Sequence, residues 1–122
     1  MHAERHTVDI TTAADGTGTG YTPNVTGRVQ SIQYVKTDYD NGVDFTITAE
    51  ATTQSILALT DQNASGTWAP RQPTHSQAGA AALYAAGGTA VGDHILLAND
   101  RVKIAVAQGG NVKTGRFIVT IG

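Results

Sequence analysis

Apolar side chains at every second position narrow what this chain can fold into more than any other feature. Between Asn99 and Gly122, Val102, Ile104 and Val106 alternate with polar or small neighbours before a glycine turn, and Phe117, Val119 and Ile121 do the same after it. A period of two sends alternate side chains to opposite faces of a strand, so one face is apolar and the other meets water. The stretch is predicted to be a hairpin. Because its pattern runs to the last residue, we expect a packed scaffold that works through its surfaces rather than through a pocket.

The same period recurs upstream. Thr7 to Thr12 alternates Val8 and Ile10 with polar residues, and the threonine- and glycine-rich AADGTGTGYTPN that follows reads as a flexible loop. In GRVQSIQYVK, Ile32 and Tyr34 fall on one face and Val29, Ser31 and Val35 on the other. Asn41-Gly42 supplies the positive φ of a tight turn, which predicts that this strand pairs as a hairpin with VDFTITAE, whose inner face is Phe45, Ile47 and Ala49. SILALT and GTWAP read as further short strands. Pro70 and Pro73 confine the second of these to an edge or an excursion, because proline cannot donate to a ladder. Regular strands resume at GDHILLANDRVKIAVA.

Thr67 to Thr89 breaks the period. Its middle, AGAAALYAA, has the composition of a helix but is too short to be stable alone. It is predicted to be a surface helix or an Ala/Gly-rich crossover; the functional alternative is an arm that orders against a partner, presenting Trp68, Arg71 and Tyr84. Seven or eight short strands separated by turn signals predict an all-β fold, a single β-sandwich or jelly-roll domain over residues 1–122.

At 122 residues the chain can bury a core without staples, and it has no cysteine, which excludes thiolate chemistry and Cys-based zinc sites. Eight basic against ten acidic residues, with no basic stripe, argue against nucleic acid and against a polybasic membrane anchor. MHAERHTVDITT lacks the apolar run of a signal peptide and no segment is apolar enough to span a bilayer, so a soluble protein without a classical export signal is expected.

Motifs that would carry chemistry are incomplete. Gly16, Gly18 and Gly20 invite comparison with a dinucleotide loop, but no helix follows to hold a pyrophosphate. Asp38, Asp40 and Asp44 depart from a calcium loop at its fifth and sixth positions, which hold Gly42 and Val43. His2, His6, His75 and His94 have no paired ligand spacing beyond His2 and His6 near the N-terminus. No serine sits in a G-x-S-x-G elbow, and Glu50, Asp61 and Asp93 read as solvated carboxylates rather than a glycosidase pair. Asn24-Val25-Thr26 and Asn63-Ala64-Ser65 match glycosylation acceptors, which count only in a eukaryotic secretory route. The expectation is a protein that is not an enzyme, with no catalytic residues, metal or cofactor.

GRVQSIQYV, the YDNGVDFTITAE segment, the proline-bearing WAPRQP and the ending NDRVKIAVAQGGNVKTGRFIVTIG together resemble small structural proteins of tailed bacteriophages, over most of the chain from Gly27 onward. All-β members of this size include jelly-roll capsid cement or decoration proteins. The resemblance implies a virion protein, made in the bacterial host cytoplasm. It would act as a symmetric homo-oligomer, dimer or trimer, on the outside of the head, with the major capsid protein of the assembled shell as its partner. A head-to-tail joining or tail component is the alternative, and a soluble carbohydrate-binding module a more distant one, since exposed aromatic platforms are few.

Overall fold

A computed structural model describes residues 3–122; His2 of the N-terminal histidine pair lies outside them. Among the described residues there is no helix, and ten strands form two antiparallel sheets packed face to face. In chain order they are β1 (Glu4–Thr11), β2 (Gly18–Tyr21), β3 (Val25–Lys36), β4 (Asp44–Ala49), β5 (Ser55–Leu59), β6 (Gly66–Trp68), β7 (Arg71–Pro73), β8 (Gly92–Asp100), β9 (Val102–Ala107) and β10 (Thr114–Ile121). One sheet runs β1-β10-β3-β8-β7, with β6 also on β3, and the other runs β2-β9-β4-β5. With β6 and β7 set aside as an insertion, β1-β10-β3-β8 faces β2-β9-β4-β5, which is the eight-stranded order of a jelly roll.

The inner faces are those the alternation predicts. Phe45, Ile47, Ala49, Val102, Ile104, Val106, Phe117, Val119 and Ile121 are all buried in one core. Val29 is a correction, because it is buried on the same side as Ile32 and Tyr34. Ser31 pairs with Thr120 and Val29 with Ile121, so Gln30 is an extra residue, and such a bulge resets which side chains face inward.

Neither predicted hairpin forms. β3 and β4 lie in opposite sheets, as do β9 and β10, and the turns between them are arches from one sheet to the other. Sheets stack ~10 Å apart, about twice the spacing of paired strands, so a tight two-residue turn cannot span the gap. The arch over 108–113 does so with three residues in the left-handed region, Gln108, Gly110 and Val112. Thr12, only 3 % exposed, pins it by donating to Gly110 O at 2.7 Å and accepting from Lys113 N at 2.9 Å. The arch over 37–43 lies alongside, with Asp40 N donating to Gly109 O at 3.0 Å and Thr114 N to Asp38 Oδ1 at 2.6 Å.

Tyr39 plugs this end of the sandwich. Its ring is buried and its hydroxyl donates to Ile10 O at 2.6 Å. Tyr34, Phe45 and Phe117 pack beside it, with Tyr34 and Phe45 at a 4.6 Å centroid separation and Phe45 and Phe117 edge to face at 4.8 Å. The loop expected over residues 13–24 is also partly a strand. Gly18 and Gly20 of β2 have no room for a side chain, because a Cβ would meet Ile10 Cγ2 at 2.9 Å or Val8 Cγ1 at 2.7 Å, so these glycines permit a close crossing of β1.

Burial, and next the negative charge of Asp38, pushes the Tyr34 hydroxyl up to about 12, and burial pushes Tyr39 up as well. A folded pKa above the unfolded value of 10.0 means stability that is intact below pH 10 and is lost as pH climbs towards 12. Alkaline titration followed by circular dichroism should therefore show cooperative unfolding in that window, with the part of the tyrosinate absorbance that belongs to Tyr34 and Tyr39 rising in step. Ionisation of all four tyrosines completed near pH 10 with the fold retained would contradict the packing of Tyr34 and Tyr39.

Candidate functional site

From Gln72 through Gly92 the sequence holds no Asp, Glu, Lys or Arg, although the chain has eight basic and ten acidic residues. This stretch is the β7-to-β8 connection, and it takes the form of an arm. β7 and β8 pair through Arg71 with His94 and Pro73 with Gly92, and the ladder continues one step as Thr74 N donates to Val91 O at 2.8 Å. The chain then divides into two small lobes. His75 bridges Ala81 around a turn closed by Gly79 N donating to Ser76 O, and Leu83 bridges Ala90 around a turn closed by Gly88 N donating to Ala85 O. Ala82 joins them, donating to Thr74 O and accepting from Val91 N.

The segment is the irregular Ala/Gly-rich connection expected, but neither a helix nor a crossover over the sandwich: β7 and β8 are antiparallel neighbours, so it is an elaborated hairpin that projects as an arm. Gly79 and Gly87 both sit at positive φ with open space around them, which fits turns and would interrupt a helix at both ends. What remains between them is too short to nucleate, whereas the extended form inherits a ladder from β7 and β8.

The arm is exposed along most of its length, only Thr74, Ala82, Ala90 and Val91 being half-buried among residues 74–91. Tyr84 is 76 % exposed and Leu83 44 %; farther along β8, Leu96 turns outward and is 64 % exposed. Its base is held firmly. Gln54 Nε2 donates to Gln72 Oε1 at 2.6 Å, Gln72 Nε2 to His94 O at 3.3 Å, and Arg71 donates to Pro70 O at 2.8 Å and to Gln30 O at 3.4 Å.

The three residues singled out from the sequence have different surroundings. Tyr84 stands at the exposed end of a lobe, and Arg71 is exposed at the arm's base. Trp68 is half-buried against the core, opposite Ile32 on β3, with its ring over Gly66, where a Cβ would meet the ring at 2.8 Å. Leu83 and Leu96 were not anticipated. The signal for Leu83 was the long uncharged interval around it; for Leu96, alternation in DHILLAN could not say which of its two adjacent leucines faces outward.

The other candidates do not converge. Asp38 Oδ1 accepts from Thr114, Asp44 Oδ1 accepts from Asp61 N at 2.9 Å, and Asp93 Oδ1 accepts from His94 N at 2.7 Å. Glu50 pairs with Arg101 at 2.7 Å, and Arg101 stacks over Tyr21 with its guanidinium carbon 3.9 Å from the ring centre. Among the described residues no three His, Asp or Glu side chains come together as a metal site. Two surface grooves are present, one of about 420 Å³ beside the Asp9–Arg116 ion pair and one of about 490 Å³ near Glu4, His6 and Gly122. Comparison of the chain with protein-family models, curated proteins and solved structures finds no match.

Proposed function

We propose that this protein is a virion structural protein, a cement or decoration protein that binds the outside of an assembled phage head and bridges major capsid subunits. One observation carries the reading: an exposed, charge-free arm with Leu83 and Tyr84 at its surface, tied at its base to a rigid sandwich. Aromatic and aliphatic side chains held out on a fixed support suit an interface, because the ordering entropy of the contact is largely met in advance. The jelly-roll strand order and the resemblance of the sequence to small phage structural proteins point the same way. On this reading the protein acts as a symmetric dimer or trimer, since a closed oligomer matches the symmetry of a shell.

A site spanning subunit boundaries is complete only in the assembled shell, so binding adds to shell stability by mass action, about 2.7 kcal/mol per site at a hundredfold excess over Kd. Purified protein added to mature particles lacking it should occupy saturable, symmetry-related positions in a particle map, which also gives its copy number, and should raise the temperature of genome release. Isolated capsid subunits should bind it poorly. Undecorated heads, with the protein recovered in necks or tails, would transfer the assignment to the joining or tail alternative.

A further inference from the structure

Asn41-Gly42 is the one Asn-Gly step in the chain, and it lies in the exposed arch between β3 and β4. This dipeptide is the sequence most prone to spontaneous deamidation, because glycine leaves the following backbone nitrogen unhindered. That nitrogen attacks the asparagine Cγ, a new N–Cγ bond forms, and the Cγ–Nδ2 bond breaks, the side-chain nitrogen leaving as ammonia with the proton that the glycine amide gave up. Water then opens the succinimide at either carbonyl, leaving aspartate or isoaspartate.

The attacking nitrogen is engaged here. Gly42 N donates to Asn63 Oδ1 at 2.7 Å, which keeps its proton on nitrogen and directs the N–H towards Asn63. The ammonium of Lys36 donates to Asn41 Oδ1 at 3.4 Å and, more closely, to Asn63 O at 2.8 Å, tying the two asparagine segments together. Gln62 N donating to Val43 O at 2.9 Å and Asp61 N donating to Asp44 Oδ1 at 2.9 Å fasten the 61–63 segment along the arch. We propose that Asn41 is a latent deamidation site and that Asn63 guards it by holding the Gly42 amide.

The guard protects a sensitive place. A carboxylate at position 41 would add to a stretch that already carries Asp38, Asp40 and Asp44, and isoaspartate would add a backbone carbon to the arch that seats Tyr39. The inference stands on this loop alone and is independent of the proposed function.

The test is peptide mapping by mass spectrometry of the full-length protein aged at mildly alkaline pH, with a synthetic Tyr39–Phe45 peptide setting the unguarded rate. The folded protein should deamidate at Asn41 about tenfold more slowly than the peptide, the factor expected from one well-formed hydrogen bond. Asn63→Ala should approach the peptide rate, while Asn63→Asp, which keeps an acceptor oxygen in place, should stay slow. Circular dichroism of both variants shows whether the fold is retained, and Asn63→Asp remains decisive if Asn63→Ala loosens it. Wild-type protein reacting at the peptide rate, Asn63→Ala reacting no faster than wild type, or Asn63→Asp reacting as fast as Asn63→Ala would each overturn the proposal.

Discussion

Gly115→Ala is expected to destabilise the protein by about 3 kcal/mol, a fall of roughly 10 °C in melting temperature for a chain of this size. Gly115 opens the inner face of β10 directly against Tyr39, and a Cβ there would overlap the ring, with Cδ2 and Cζ both at 2.8 Å. The ring cannot turn aside cheaply. It is buried among Tyr34 and Phe45, its hydroxyl is bonded to Ile10 O, and its backbone belongs to an arch already bonded to Gly109 and Thr114. Displacing it would open the end of the core and leave a strand carbonyl without its donor. Gly92→Ala is the matched control, because the nearest atom to a Cβ there is Arg71 Cβ at an ordinary 3.5 Å. Thermal melts should separate the two variants clearly; equal melting temperatures would mean that Tyr39 is not the plug of the sandwich.

If the protein binds an assembled shell as proposed, removing the arm should weaken that binding strongly while sparing the fold. Joining Thr74 to Val91 through an Asn-Gly turn keeps the β7–β8 ladder and converts the arm into a plain hairpin. None of the fully buried large side chains lies in the deleted part, so the melting temperature should stay within a few degrees of wild type. Binding to particles should weaken by about a hundredfold or more, equivalent to roughly 2.7 kcal/mol and within the range of one aromatic hot spot. Leu83→Ser with Tyr84→Ser is the finer version. Trp68 is left in place because its ring packs on the core, and its loss would confuse folding with binding. Since the arm carries no charge, the affinity it contributes should change little with salt, unlike a contact built on ion pairs. Full binding by the armless protein would move the contact surface elsewhere on the sandwich.

Period-two alternation was enough to specify an all-β chain and most of its inner face, because which side of a strand is apolar depends on side chains a few residues apart. Phe45, Ile47 and Ala49, or Val102, Ile104 and Val106, needed nothing more. The glycines and Asn41-Gly42 likewise marked where the chain reverses. They could not say whether it reverses within a sheet or across the sandwich. That choice rests on contacts remote in sequence: Tyr39 with Ile10 and Gly115, and Thr12 with Gly110 and Lys113. The same holds for Gly18 and Gly20, whose purpose becomes visible only when Val8 and Ile10 lie against them. In the arm, alanine-rich composition favoured a helix locally, and the neighbouring β7–β8 ladder supplied an extended alternative that local propensity does not register. Local periodicity thus determined what each segment is, and long-range packing decided which segments are neighbours, because strand pairing and plugging are made by residues that only the folded chain brings together.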